Sequence, residues 1–130
     1  MKKNQSGFTL VEIMIVVAII ALLAAIAIPN LLRAKLSAND ALAKSTLKTL
    51  STASETFATA NTGNYPTTTS ALTGATPPYV NKDYCGTTVS GFNFTCTWGA
   101  GGYTFTASPV TTGTSGTTTY TISTGGILSP

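Results

Sequence analysis

The chain has 130 residues, enough for one small domain, and only 8% of them are charged, whereas roughly a quarter are charged in an ordinary soluble domain. Nine of the eleven charged residues fall within the first 55 positions, and the other 75 positions contain only Lys82 and Asp83. The sequence has no histidine, no paired acids and no nucleophile beside a base, so we expect no enzyme, cofactor or metal site. The net charge of +3 owes much to Lys2 and Lys3, and a nucleic-acid interface is not indicated.

The first element is a short basic leader followed by a long apolar run. Residues 1–7 read MKKNQSG, and residues 8–28 are apolar except for Thr9 and Glu12. As a helix these 21 residues would span about 31 Å, close to the thickness of a bilayer core. The run is apolar all round, which is typical of a helix in lipid or in the centre of an assembly.

The second element continues the helix beyond Pro29. Residues 30–60 contain neither glycine nor proline, and Gly63 and Pro66 supply stop signals. One row follows a three- and four-residue spacing that predicts a buried face: Ala43, Leu47, Leu50, Ser54 and Phe57. Three charged residues lie off that row: Lys44, Lys48 and Glu55. We therefore predict one helix from residue 8 to about 60, kinked near Pro29, with a protruding apolar first half and an amphipathic second half.

The rest of the chain changes composition and predicts a small antiparallel sheet. Residues 61–130 are rich in threonine, serine and glycine. Alternating aromatic and polar residues predict three strands, at residues 91–98, 103–107 and 117–123. We expect a loop over residues 67–84, with a short helical turn inside it. The fold class is α+β, in which the long helix packs on a C-terminal antiparallel sheet.

The basic leader, the segment Gly7-Phe8-Thr9-Leu10-Val11-Glu12, the apolar run and Pro29 together resemble the type IV pilin and pseudopilin family. The resemblance implies that a prepilin peptidase cuts between Gly7 and Phe8, and that the same enzyme N-methylates Phe8. It implies four parts: a leader (1–7), a transmembrane and filament-core half-helix (8–29), an amphipathic half-helix (30–60) and a loop-plus-sheet head (61–130).

Glu12 corresponds to the family's carboxylate four residues after the cut. A charge inside an apolar helix needs a partner, and the chain offers no basic residue between Lys3 and Arg33. Cleavage would remove Lys3 and create an α-amino group on Phe8, which in a neighbouring subunit could pair with Glu12 and set the register of assembly. The alternative is a first-turn acid that the helix dipole favours.

Two other interpretations of residues 1–28 stay open. One is an ordinary secretory signal peptide, with a small-residue cleavage site at residues 25–27. Glu12 and the length of the apolar run argue against it. The other is a membrane-anchored protein that never polymerises.

The resemblance also bears on the helix at Pro29. The family's filaments often have an unwound segment before this proline, but residues 18–28 lack the glycine that many members carry there. A mild kink at Pro29 is therefore the alternative.

In the head, Cys85 and Cys96 are the two cysteines, and export would favour a disulfide between them over two buried thiols. The head is also rich in threonine, with 22 threonines after residue 55. Strand propensity explains this composition, and O-glycosylation of a surface filament is the sharper alternative, without an assignable site.

The resemblance therefore implies the major pilin of a type IV pilus, a homopolymeric filament for adhesion, surface motility or DNA uptake. The subunit would first lie in the inner membrane, where an assembly platform would add it to an extracellular filament. Any contact with nucleic acid would be made through that filament. The alternative is a pseudopilin of a type II secretion system, whose major subunit carries an acidic calcium-binding loop. This chain has only Asp83 as an acid after residue 55. A minor, tip-located pilin is the third candidate. Minor subunits often lack the glutamate found here at Glu12, so Glu12 favours a subunit found along the filament.

Overall fold

The computed structural model describes residues 7–99 and 101–130, so most of the predicted leader lies outside the described residues. The chain contains a long helix α1 (Leu10–Ala60) and a short helix α2 (Thr69–Thr73). Five strands follow: β1 (Thr88–Val89), β2 (Phe92–Gly99), β3 (Gly102–Pro109), β4 (Tyr120–Ser123) and β5 (Ile127–Ser129). The chain divides into two compact units, the first ending at Ala34 and the second covering Lys35–Pro130.

The first unit consists mainly of the apolar part of α1. Its described residues are exposed throughout, apart from a half-exposed Ala24. The helix continues through Pro29, and residues 18–28 are helical along their whole length. The side-chain amide of Asn30 donates to the carbonyl of Ile26 at 3.0 Å, one turn back. The kink at Pro29 stays a prediction.

In the second unit, α1 is one-sided, as its sequence predicts. Ala43, Leu47, Leu50 and Ser54 are buried, and Phe57 packs half-buried beside them. Three- and four-residue spacing brings these side chains onto one stripe of the helix. The stripe forms one hydrophobic core with the inner face of the sheet. The predicted α+β architecture is confirmed.

The sheet is a meander in the order β1-β2-β3-β4-β5, with every neighbouring pair antiparallel. Strands β2 and β3 pair from Phe92↔Pro109 to Gly99↔Gly102, so only two residues separate them in the sequence. Their side chains alternate as expected, because successive residues of a strand point to opposite faces. The inner face carries a chain of ring contacts in which Trp98 meets Phe105 at 4.9 Å and Tyr103 stacks on Phe105 at 4.6 Å.

The boundaries of the predicted third strand need correction. It begins at Tyr120 rather than at residue 117, because the backbone N–H of Thr117 donates to the carboxylate of Asp40 on α1. The two edge strands β1 and β5 were not predicted, since two and three residues are too short to show alternation. The helical turn expected within residues 67–84 is confirmed as α2.

Candidate assembly site

The predicted cleavage site lies in irregular backbone immediately before α1. Phe8 is 85% exposed, and a Cβ on Gly7 would have no atom of the described residues within 4 Å, its chain neighbours apart. Because the helix begins only at Leu10, the bond between Gly7 and Phe8 is reachable without unwinding a helical turn. This geometry suits a peptidase that takes an extended segment into its active site, and the cut itself stays a prediction.

Thr9 and Glu12 form a reciprocal capping box at the start of α1. The backbone N–H and the hydroxyl of Thr9 both donate to Oε2 of Glu12, each at 2.7 Å. In return, the backbone N–H of Glu12 donates to Oγ1 of Thr9 at 3.3 Å. The carbonyl of Thr9 accepts the first helical hydrogen bond, from Ile13 at 3.4 Å. These bonds satisfy donors that the first turn of a helix otherwise leaves unpaired.

The capping box leaves one oxygen of Glu12 available. Both bonds from Thr9 reach Oε2, and within the described ranges no donor reaches Oε1. Glu12 therefore finds hydrogen-bond donors in the first turn of its own helix, as the first-turn interpretation expects, and no cation of the described residues is needed. Pairing with the Phe8 amine of a neighbour would use Oε1, and it stays a prediction. The pattern Thr-x-x-Glu is a sequence signal for this box that the sequence analysis missed.

The apolar half of α1 lies between this cap and the body of the chain. An 18-residue window of the helix has a mean hydropathy of 3.0, and none of it is buried by the residues that the structure describes. Among those residues, one helix is suited by length and composition to crossing a membrane. An exposed apolar surface of this size is typical of a helix that contacts lipid or other protein chains.

The predicted disulfide is confirmed. Cys85 and Cys96 are bonded, with Cα atoms 5.5 Å apart. Cys96 lies in the middle of β2, whereas Cys85 lies in the loop before β1. The backbone N–H of Cys85 also donates to the carboxylate of Asp83 at 2.9 Å. The bond therefore ties this loop to the sheet.

Glu55 has a role that its sequence position did not suggest. The helical spacing places it off the buried row, yet the side chain is half-buried and accepts three hydrogen bonds. The hydroxyls of Tyr103 and Tyr65 donate to it at 2.8 and 2.9 Å, and the backbone N–H of Gly125 donates at 2.7 Å. Ser51 adds a buried hydrogen bond of 2.6 Å to Tyr103. Helix α1, β3 and the turn between β4 and β5 therefore meet at one carboxylate.

Three side chains of this network have shifted pKa values, and all three lie outside the predicted membrane half of α1. The hydrogen bond to Glu55 raises the pKa of Tyr65. Partial burial by itself raises the pKa of Glu55, but the bonds from Gly125, Tyr103 and Tyr65 outweigh it and lower that pKa below 4.5. Burial, reinforced by the negative Glu55, raises the pKa of Tyr103 from 10.0 to about 12. The network therefore favours a charged carboxylate and a neutral phenol.

Asp40 makes a similar attachment nearer to the start of the second unit. It is 8% exposed and accepts from the backbone N–H and the hydroxyl of Thr117, at 3.0 and 2.6 Å. The neighbouring Asn39 donates to the carbonyl of Ser115 at 2.8 Å. Two adjacent side chains of α1 thus hold the β3–β4 loop. No local sequence pattern predicts either contact.

Comparison with known proteins adds to this geometry. Residues 2–28 match the family model of the prokaryotic N-terminal methylation motif. The type IV wide pilus major component PilA4 of Thermus thermophilus is 63% identical over 38 residues, which are 29% of each chain. The type IV major pilin protein PilA of Myxococcus xanthus is 55% identical over 54 residues, which are 42% of this chain and 24% of the relative.

A second kind of relative matches over a longer segment. The type II secretion system core protein G of Aeromonas hydrophila is 39% identical over 71 residues, which are 55% of this chain and 49% of the relative. The chain thus spans less than half the length of each of these curated relatives. No solved structure matches the chain.

The methylation motif covers the leader and the apolar run, and the shorter alignments are those with the highest identity. Residues 2–28 thus carry the N-terminal methylation motif, and the chain is similar both to pilus major subunits and to type II secretion core proteins.

Proposed function

We propose that this protein is the major subunit of a type IV pilus, cut between Gly7 and Phe8 and polymerised through the apolar half of α1. The observation that carries the proposal is the exposure of that half-helix. Its large aliphatic side chains between Leu10 and Ile28 are all more than half exposed. Burial in a bundle of identical helices removes this surface from water.

The sequence of events follows from the chemistry of the N-terminus. Before cleavage, the apolar helix rests in the inner membrane, where lipid is as apolar as the helix itself. The prepilin peptidase removes the leader and methylates the new amine of Phe8, which remains basic. The amine then meets Oε1 of Glu12 in a neighbouring subunit, while Thr9 keeps Oε2 occupied.

Repetition of this contact gives a filament rather than a closed ring. The amine of one subunit and the carboxylate of the next form a head-to-tail contact, and such contacts propagate helically when the rotation does not close. An inner-membrane assembly platform lifts each subunit from lipid into the growing base. The heads then form the extracellular surface, which serves adhesion, motility or DNA uptake.

A pseudopilin of a type II secretion system is the second candidate. The alignment with the Aeromonas hydrophila core protein G favours it, because its 71 residues extend well beyond the methylation motif. Against it, Asp83 is the only acid after residue 55, and its carboxylate already accepts the backbone N–H of Cys85. The major pilin is therefore the better supported function.

Mass spectrometry of filaments sheared from the cell surface tests the proposal. The expected dominant chain begins at N-methylated Phe8 and retains the disulfide between Cys85 and Cys96. Filaments whose subunit still begins at Met1, or a mature chain that begins near Ile28, would overturn it. Recovery of the processed chain from the cell envelope only, with protein secretion lost on deletion of the gene, would favour the pseudopilin.

A further inference from the structure

Residues 7–9 restrict where the apolar part of α1 can enter lipid. They are irregular and exposed, and the helix begins only at Leu10. Irregular backbone has N–H and C=O groups without helical partners, and the hydrocarbon core of a membrane excludes such backbone where no protein covers it. These residues are therefore suited to water or to the headgroup layer rather than to hydrocarbon.

The capping box of Thr9 and Glu12 supports the same boundary. Two donors of Thr9 occupy Oε2 of Glu12, and Oε1 has no donor among the described residues. A span that began at Phe8 would carry this charged carboxylate about 6 Å into the hydrocarbon. A charge inside the hydrocarbon is costly, whereas water hydrates Oε1 at the interface. The box therefore favours Ile13 as the first residue of the span.

The length of the uncharged run indicates where the span ends. Residues 13–32 are 20 residues without a charge, and they lie between Glu12 and Arg33. All of them are helical. At about 1.5 Å per residue they extend about 30 Å, which matches the hydrocarbon core of a typical bilayer. With Glu12 at one interface, Arg33 falls at the other.

The last residues of this run are compatible with lipid. Leu31 and Leu32 are 72% and 51% exposed, and they continue the apolar surface beyond Pro29. Asn30 is the one amide side chain of the run, and it donates to the carbonyl of Ile26 at 3.0 Å. A polar group that is hydrogen-bonded within its own helix costs less in lipid than an unpaired one. These contacts favour a span that extends through Leu32.

Arg33 has the chemistry to bind phosphate at that end. It is exposed, and it is the one arginine of the sequence. Its guanidinium stays charged and donates paired hydrogen bonds to phosphate oxygens, and long basic side chains near the ends of membrane helices extend toward the headgroups. We propose that residues 13–32 form the membrane span and that Arg33 binds the phosphate groups of phospholipids in the leaflet opposite the cleavage site. The proposal rests on the membrane stage of the proposed function and not on polymerisation.

Solid-state NMR of the full chain in vesicles tests the contact with phosphate. The vesicles contain phosphatidylethanolamine and phosphatidylglycerol in a buffer without phosphate, and isotope-labelled arginine reports on Arg33 alone. We expect the phosphorus nuclei of the lipid to dephase the guanidinium nitrogen signal. The same chain in a phosphorus-free detergent with added inorganic phosphate should show no dephasing. Absence of dephasing in the vesicles, or equal dephasing by free phosphate, would overturn the lipid contact.

Amide hydrogen exchange in the same vesicles tests the boundaries of the span. We expect residues 8–12 to exchange and residues 13–32 to be protected. Arg33→Leu removes the charge at the boundary and should extend the protection to residues 33 and 34. The control Lys48→Gln removes a positive charge from the second unit and should leave both the protection and the dephasing unchanged.

The possible failures are distinguishable from one another. Protection of residues 9–12, or an unchanged exchange pattern in Arg33→Leu, would overturn the proposed boundaries. Exchange throughout residues 13–32 would overturn the membrane span itself. Because the vesicles contain the chain before polymerisation, none of these results depends on whether a filament forms.

Discussion

Glu55 and Tyr103 are far apart in sequence and share one hydrogen-bond network at the junction of α1, β3 and the β4–β5 turn. The carboxylate accepts from three donors, and no cation among the described residues takes part in the network. Hydrogen bonds to a charged acceptor contribute more than bonds between neutral groups. At the residue scale, this single side chain therefore does much to hold the C-terminal turn against the helix.

The substitution Glu55→Gln should lower the free energy of unfolding by about 1–2 kcal/mol, since it removes the charge that strengthens three hydrogen bonds. Thermal unfolding of the full chain in detergent, followed by circular dichroism, measures the change. Asp83→Asn is the matched control, because that carboxylate accepts only the N–H of Cys85. Equal stability of the two variants would contradict a special role for Glu55.

Stability should fall on both sides of a neutral plateau. The pKa of Glu55 is lowered on folding, so its contribution is present above its ordinary value of 4.5 and is lost as the pH falls through the folded pKa. The pKa of Tyr103 is raised on folding, so its contribution is present below 10.0 and is lost as the pH rises toward about 12. Unfolding curves from pH 3 to 12 should show both losses, and Glu55→Gln should flatten the acid side.

At the scale of elements, the disulfide fixes the loop before β1 to strand β2. Reduction, or the double change Cys85→Ser and Cys96→Ser, should cost about 3 kcal/mol of stability on the loop-entropy model. The measurement is the midpoint of thermal unfolding with and without reductant. The serine variant itself should not respond to reductant, and a similar shift in that variant would show that the reductant acts elsewhere.

The β3–β4 loop passes so close to β2 that a methyl group has no room. A Cβ on Gly116 would overlap the ring of Phe92, which is fully buried. Gly116→Ala should therefore destabilise the chain by about 1–3 kcal/mol through overpacking. Gly101→Ala serves as the control, since no atom lies within 4 Å of its Cβ position. Denaturant unfolding of the two variants compares these costs.

The elements differ in how far their sequences predicted them. Helix α1 and strands β2 and β3 carry long periodic patterns, and the stripe containing Leu47 and Leu50 was found from spacing alone. Strands β1 and β5 are too short for alternation to appear, so only their partners define them. The bonds from Thr117 to Asp40 and from Gly125 to Glu55 span 77 and 70 positions, and no local pattern encodes such a separation.

For the whole molecule, the central prediction concerns the charge at Glu12. Glu12→Gln keeps an oxygen that can accept from Thr9 and removes the charge that would meet the Phe8 amine of a neighbour. We expect filament number per cell, counted by electron microscopy, to fall at least tenfold while the processed subunit accumulates in the membrane. Thr9→Val retains the charge and loses the hydroxyl of the cap, so it should affect assembly less. Normal filament numbers in Glu12→Gln would refute the charge pairing.

The four acidic residues of this chain have one type of contact in common. Glu12, Asp40, Glu55 and Asp83 each accept a backbone N–H of the same chain. Among the lysines, Lys44 and Lys82 lie over the rings of Tyr120 and Tyr84, at 4.6 and 5.6 Å from the ring centroids. Lys35 and Lys48 project from the surface of α1. Positions 35 and 48 can therefore change their charge more freely than the acidic positions, which the hydrogen bonds of the fold hold in place. Substitution of these two lysines would change the net charge of the second half of α1 and leave those hydrogen bonds intact.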